Sequence, residues 1–123
     1  TVWCMMRARA GFASPEDLRP GPINPDPRPG QLDPDEAVER SRRMHRNDLE
    51  NIPAFLACGL IFVAAGPPLW LAVVLMFGFV AARLAHTLAY ATARSHETRA
   101  TFFTLGSVAV IVMALYTLGA AVL

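Results

Sequence analysis

From residue 51 to the end the chain is almost continuously apolar, whereas residues 7 to 48 are polar and rich in Pro, Arg and Asp. Three stretches in the apolar part are long enough to read as membrane spans. The first, 51–66, carries no charged residue; the second, 68–93, is interrupted by Arg83, His86 and Tyr90; the third, 102–123, has 22 residues without a charge. The third corresponds to about 33 Å of helix, against a hydrocarbon core of about 30 Å. Gly66-Pro67-Pro68 is a stop-and-restart signal that folds the first two spans into a tight hairpin. Asp33-Pro34-Asp35-Glu36 resembles a helix start, with Asp33 as N-cap and Pro34 at the first helical position. From there a helix of about 48 Å is expected to run to Ala65. Pro53 would be carried as a kink within the membrane, and the projecting part would bear Arg40, Arg42 and Arg43. A smaller start signal, Ser14-Pro15-Glu16-Asp17, predicts one or two helical turns, and residues 19–31 read as an irregular loop.

The apolar opening Thr1-Val2-Trp3-Cys4-Met5-Met6 reads as the tail of an earlier span. The expected organisation is one membrane domain over residues 1–123: the end of a first span (1–6), a polar loop (7–33), a long second helix (34–66), a third (68–93) and a fourth (100–123). The fold class is all-α, a transmembrane four-helix protomer whose first helix lies mostly outside this chain. A chain of 123 residues, 54% hydrophobic, is enough for one such unit.

Net charge is +1, so the total says little about partners, but its distribution does: eight of the eleven arginines lie between Arg7 and Arg46, and there is no lysine. With an uncharged Gly66–Pro68 turn at the other end, the arginine bias puts the 7–46 loop and the 94–99 turn on the cytoplasmic side. The arginines are interleaved with acids and no aromatic platform accompanies them, which argues against nucleic acid as a partner. No zinc-ligand spacing, CxxC pair or glycine-rich phosphate loop occurs, so no metal is expected. Cys4 and Cys58 read as unpaired apolar thiols.

Candidate chemistry comes from two helical faces. Arg43, Arg46, Asn47 and Glu50 fall at i, i+3, i+4 and i+7, and Arg83, His86 and Tyr90 at i, i+3 and i+7. Ionisable groups among apolar spans are costly and face a partner, cavity or ligand. Arg83 facing lipid would cost at least about 3 kcal/mol, and Glu50 is the expected buried partner. Arg99, at the entry to the last span, would lie near Tyr90 and His86 if the helices are antiparallel neighbours. These groups either staple the bundle together, with Arg99 as a positive-inside anchor, or form a site. As a site they suit a small zwitterion with several carboxylates. A thiol-bearing ligand is also suited, because a guanidinium lowers a thiol pKa from its usual value of about 8.5. No nucleophile–base triad is present.

The stretch from Val38 to Ile52, VERSRRMHRNDLENI, resembles the signature of the MAPEG family, the membrane-associated proteins in eicosanoid and glutathione metabolism. Phe12-Ala13-Ser14-Pro15-Glu16-Asp17 resembles the family's loop after its first helix. The stretch from Ala82 to Tyr90, ARLAHTLAY, resembles its third-helix motif, and Arg99 falls at the spacing of its catalytic arginine. The likeness runs from about Phe12 to the end and is nearest the branch of the microsomal glutathione transferase and prostaglandin E synthase. It implies a homotrimer with glutathione as co-substrate between adjacent subunits. It also implies that Arg43, Arg46, Asn47, Glu50, His86, Tyr90 and Arg99 contribute to glutathione binding, and that Asp17 and Arg99 take part in chemistry. Ala100 and Phe103 stand where the family's prostaglandin synthase has Ser and Tyr. Met6, with Arg7 beside it, stands at the position of a first-helix arginine.

The resulting expectation is a multi-pass membrane enzyme, in an endoplasmic reticulum or bacterial inner membrane. It would conjugate glutathione to apolar electrophiles or reduce lipid hydroperoxides. A prostaglandin E synthase-type isomerase, a non-catalytic lipid-binding scaffold of the same fold, and an ion or proton pathway are the competing classes. The last lacks a polar stripe on the final span to line a pore.

Overall fold

The computed structural model describes residue 12 and residues 14–122. The expected end of a first span, with Cys4, Met6 and Arg7, lies outside the described residues. The chain divides into two compact units, Thr1–Arg46 and Asn47–Leu123, with one long helix, α1 (Glu36–Ala64), running through the division.

In the first unit a 3-10 turn forms over Pro15–Leu18, with Ser14 as its N-cap and Pro15 at its first position. The Ser14 backbone N–H donates to Asp17 Oδ2 at 3.1 Å, while the Asp17 N–H donates to the Ser14 carbonyl at 3.0 Å. The Ser14 and Asp17 N–H groups are thereby both paired. Hydrogen bonds from its own backbone N–H and then from Ser14 hold the exposed Glu16 carboxyl below the ordinary Glu range. Its contribution to this turn is therefore present above the unfolded carboxylate pKa and is lost as pH falls through the lowered one.

The loop that follows has no regular structure over residues 19–28 but is closed and internally bonded. A second 3-10 turn spans Pro29–Leu32, and the segment is tied by two buried amides, Asn24 and Gln31, only 6% and 5% exposed. Asn24 Nδ2 donates to Gln31 Oε1 at 2.9 Å, and Gln31 Nε2 returns a bond to Asn24 Oδ1 at 3.1 Å. Asn24 also reaches the Asp17 carbonyl at 3.2 Å, and Gln31 Oε1 accepts from the Arg28 N–H at 2.8 Å. The buried Phe12 donates its N–H to the Gln31 carbonyl at 3.0 Å. Breaking one half of such a pair leaves a buried amide unpaired. Asn24→Ala and Gln31→Ala are each expected to destabilise this loop by about 1–3 kcal/mol, seen as faster limited proteolysis near residue 28 with the helices unaffected.

Helix α1 starts two residues later than the sequence suggests. The Val38 N–H donates to Asp35 Oδ1 at 3.0 Å, and the Glu39 N–H to the Asp35 carbonyl at 2.9 Å, so Asp35 is the cap. Asp33 instead donates its N–H to the Gly30 carbonyl at 3.3 Å and closes the preceding turn. Standing before Pro34, it is held extended (ψ 142°), the conformation a following proline imposes.

In the second unit three helices lie antiparallel in sequence order: the rest of α1, then α2 (Leu69–Ala91) and α3 (His96–Val122). α1 continues through Pro53. It ends at Ala64, and two residues on Gly66 has a φ of +69°, the left-handed conformation that glycine adopts without a Cβ penalty. Pro68 then caps α2. The face of α1 that meets its neighbours is marked by Phe55, stacked on Phe79 at 3.9 Å between ring centroids. One turn on is Gly59, where a Cβ would stand 3.4 Å from Met76 Cε. Phe62 then packs edge-on against Tyr116 at 5.3 Å. Phe62 and Met113 are fully buried. Phe62→Ala is expected to cost about 3–5 kcal/mol, measured as a lowered unfolding midpoint in detergent.

α2 ends in a Schellman arrangement. The Arg94 N–H reaches the Ala89 carbonyl at 2.9 Å and the Ala93 N–H the Tyr90 carbonyl at 3.1 Å, with Ala93 in the left-handed region at φ 52°. Ser95 then starts α3: its Oγ accepts from the Thr98 N–H at 3.3 Å. The polar turn is thus 92–95, and Arg99 already lies in the first turns of a helix that begins at His96, four residues before the expected start at 100.

Leu60, Trp70, Phe77, Leu84, Leu115 and Leu118 are all exposed, while Arg83 and His86 are buried. That inversion of the soluble pattern is what a lipid-facing bundle requires. All three helices are long and apolar enough to cross a membrane. An open apolar groove of about 500 Å³ runs beside α2 and α3, lined by Gly78, Ala81, Ala85, Phe102 and Leu105 among others.

Candidate functional site

Polar side chains of the second unit gather where the start of its α1 segment meets the C-terminal half of α2 and the N-terminal turns of α3. Arg83, 7% exposed, is the centre. Its Nη2 donates to Asn47 Oδ1 at 2.8 Å and forms an ion pair with Asp48 Oδ1. The expected partner Glu50 is not the one used; it is exposed. The reason is helical phase. At about 100° per residue, Asp48, Phe55, Gly59 and Phe62 share one face, and Glu50 sits about 200° away from it. The aromatic contacts fix which face of α1 meets α2, and that face carries Asp48. The charged stripe by itself does not single out Asp48; the signal for it is its seven-residue spacing to Phe55 and from there to Phe62.

One turn beyond Arg83, His86 is 2% exposed and lies in the field of Asp48, Arg83 and Arg99. Its ring stands 5.0 Å from that of Tyr90, tilted by 60°. Tyr90 in turn carries Arg99: the guanidinium carbon lies 4.6 Å from the ring centroid, a cation–π contact that holds the charge in place without consuming a hydrogen bond. Arg83 Nε and Nη1, His86 Nδ1 and Arg99 Nε are buried without a hydrogen-bond partner among the described residues. Buried polar atoms of this kind are normally paired, so an arrangement that leaves several open at one end of a bundle calls for an added group.

The remaining sequence-derived candidates are placed differently. Arg43 is exposed and pairs with Glu36 at 2.9 Å, and Arg46 is also exposed. Both belong to the first unit. Asp17 is in the first unit too, its carboxylate accepting from the Ser14 N–H. No group of three or more His, Cys, Asp or Glu side chains disposed for a metal occurs among the described residues.

A helical bundle with apolar outer faces and a partly buried Arg–Asp–Asn–His–Tyr–Arg cluster near one end of its helices defines an integral membrane protein with a polar site. Comparison with known proteins makes this specific. The model of the MAPEG family matches residues 2–119, and the chain belongs to that family. It is 43% identical over 98 residues to microsomal glutathione S-transferase 1 of Sus scrofa, covering 80% of this chain and 63% of that protein. Against the same transferase of Rattus norvegicus it is 43% identical over 95 residues, covering 77% and 61%. Against prostaglandin E synthase of Homo sapiens it is 38% identical over 108 residues, covering 87% and 67%. The chain therefore spans less than two thirds of the transferases it matches.

Proposed function

We propose that this chain is part of a membrane-bound glutathione transferase that conjugates glutathione to apolar electrophiles or reduces lipid hydroperoxides. The observation that carries the reading is Arg99, held over the Tyr90 ring with a buried, unpartnered Nε. A guanidinium about 4 Å from a sulfur stabilises the thiolate by about 1 kcal/mol in water and about 4 kcal/mol near a protein surface. Each pKa unit corresponds to about 1.4 kcal/mol. A lowering of about two units from about 8.5 makes the thiolate the major form at pH 7. The thiolate then attacks the electrophilic carbon, the carbon–sulfur bond forms, and the leaving group departs with the bonding pair. In the peroxide reaction it attacks the terminal oxygen, giving an alcohol and a sulfenic acid that a second glutathione converts to disulfide and water. Asn47, His86 and Tyr90 orient the tripeptide.

A homotrimer completes the proposal. Glu50 is exposed on its own bundle, so a second copy is proposed to bring it to a bound tripeptide, and Arg43 and Arg46 are proposed to contribute to binding as well. Asp17, on the polar loop, is proposed to assist the chemistry. The arginine distribution favours a cytoplasmic site on a multi-pass protein of the endoplasmic reticulum or a bacterial inner membrane.

The similarity to prostaglandin E synthase supports a second reading, a glutathione-dependent isomerase. The two separate in one assay series on the purified protein with glutathione. The transferase reading predicts turnover of chlorodinitrobenzene and a fatty-acid hydroperoxide above that of a prostaglandin endoperoxide. The reverse order supports the isomerase. Turnover of none of the three supports a non-catalytic scaffold.

A further inference from the structure

The Arg83–Asn47 contact fixes more than packing. A primary amide has two chemically different ends, an oxygen that only accepts and a nitrogen that only donates. Arg83 Nη2 lies 2.8 Å from the oxygen of Asn47. The opposite orientation would put Nδ2 against a guanidinium, which has no acceptor to offer, so a donor would face a donor. Arg83 is itself anchored by its ion pair with Asp48 and by burial, and a Cβ at Gly106 would stand 3.8 Å from its Cδ. With the oxygen occupied, Asn47 Nδ2 has no partner among the described residues, on a side chain that is half-buried, not closed off.

We infer that Arg83 is a positioning residue. By holding Asn47 Oδ1 against its own guanidinium it fixes which end of the amide is left over, so Nδ2 is the group presented to the ligand and the ligand group that docks on it is an acceptor: a carboxylate, a peptide carbonyl or a thiolate. The inference rests on the glutathione reading and refines it, since a freely turning asparagine could equally accept from the ligand's ammonium. It also gives Asp48 a function: Asp48 orients the guanidinium that orients the amide.

Asn47→Asp tests this, because aspartate keeps an oxygen for Arg83 and turns the outward group from donor to charged acceptor at nearly unchanged volume. Glutathione binding is measured by calorimetry on the detergent-solubilised protein, alongside Asn47→Ala. A fixed donor predicts about tenfold weaker binding in Asn47→Ala and about a hundredfold or more in Asn47→Asp. Binding by Asn47→Asp that equals or exceeds that of Asn47→Ala overturns the inference while leaving the glutathione reading intact. Absence of binding by the wild-type protein overturns both.

The role of Arg83 is separated from simple stapling by the double variant Asp48→Leu with Arg83→Met, which removes the buried pair as a unit and should keep the fold. The expected result is near-wild-type thermal stability with glutathione binding weakened about three- to tenfold. Recovery of binding together with stability overturns the positioning role. Where a variant does not fold, the wild-type protein gives the answer through the side-chain ¹⁵N resonance of Asn47. It should shift on adding glutathione, and a resonance that does not move contradicts the donor contact.

Discussion

Replacing Arg99 with leucine is expected to lower turnover of glutathione with an electrophile by about 10²–10³-fold, the range for losing one donor aimed at developing anionic charge. The helices should persist. Arg99 is half-buried in the first turns of α3, the start of that helix is fixed by Ser95, and the buried residues of α3 are Gly106, Ala109 and Met113. The thiolate fraction should fall with the charge. The pH–rate profile of the variant should therefore shift to higher pH, because the thiol now titrates near its ordinary value. Arg99→Lys should lie between the two, keeping a charge over Tyr90 but not the planar fork. Stopped-flow ultraviolet absorbance of the bound thiolate, together with steady-state rates, checks this. Turnover near wild type in Arg99→Leu would remove Arg99 from the mechanism.

Asp48→Ala is expected to destabilise the protein by about 3–5 kcal/mol, because it strands the Arg83 charge inside the bundle. The figure comes from the loss of one partner of a buried pair, not from the worth of the pair itself, which is much smaller once both desolvation costs are counted. The expectation is therefore asymmetric. Removing Asp48 alone is severe, whereas removing Asp48 and Arg83 together and filling the space with apolar side chains is mild. Glu50→Ala, on an exposed side chain, should leave stability within about 0.5 kcal/mol, even though it is expected to weaken glutathione binding. Unfolding midpoints in a single detergent measure all three. A Glu50→Ala loss as large as that of Asp48→Ala would return Glu50 to the role of Arg83's partner.

Much of the fold is legible in the sequence, because membrane spans are written in long uninterrupted hydropathy. The Gly66-Pro67-Pro68 turn is equally plain, since glycine supplies the positive φ and the prolines forbid continuation. Part of the buried face of α2 is legible too: Arg83 and His86, three residues apart, are both buried, and the Tyr90 ring lies beside that of His86. What the sequence conceals depends on rotation of one helix against another. Whether Asp48 or Glu50 meets Arg83 is decided by Phe55 on Phe79 and by Gly59 beneath Met76, contacts between residues about twenty positions apart. The Asn24–Gln31 pair is hidden for a related reason. It is a mutual amide bond across seven residues with no periodicity to announce it.

Helix starts were legible only to within a turn. Asp33 and Asp35 are chemically equivalent candidates, and the choice between them falls to Pro34, which holds its predecessor extended. At the other end of α2, Ala93 occupies a left-handed position where glycine would be the usual signal, so nothing in the residue type marks that turn. For the candidate site, the residue types were readable, but the donor polarity of Asn47 follows only from where Arg83 sits.

Calorimetric titration of the purified, detergent-solubilised protein with glutathione tests the central claim most directly. The account predicts saturable binding at about one site per subunit interface, weakened on Arg99→Leu. No heat of binding from a folded, helical protein would contradict it, leaving the Arg83–Asp48–Asn47 cluster as an internal staple of a membrane scaffold.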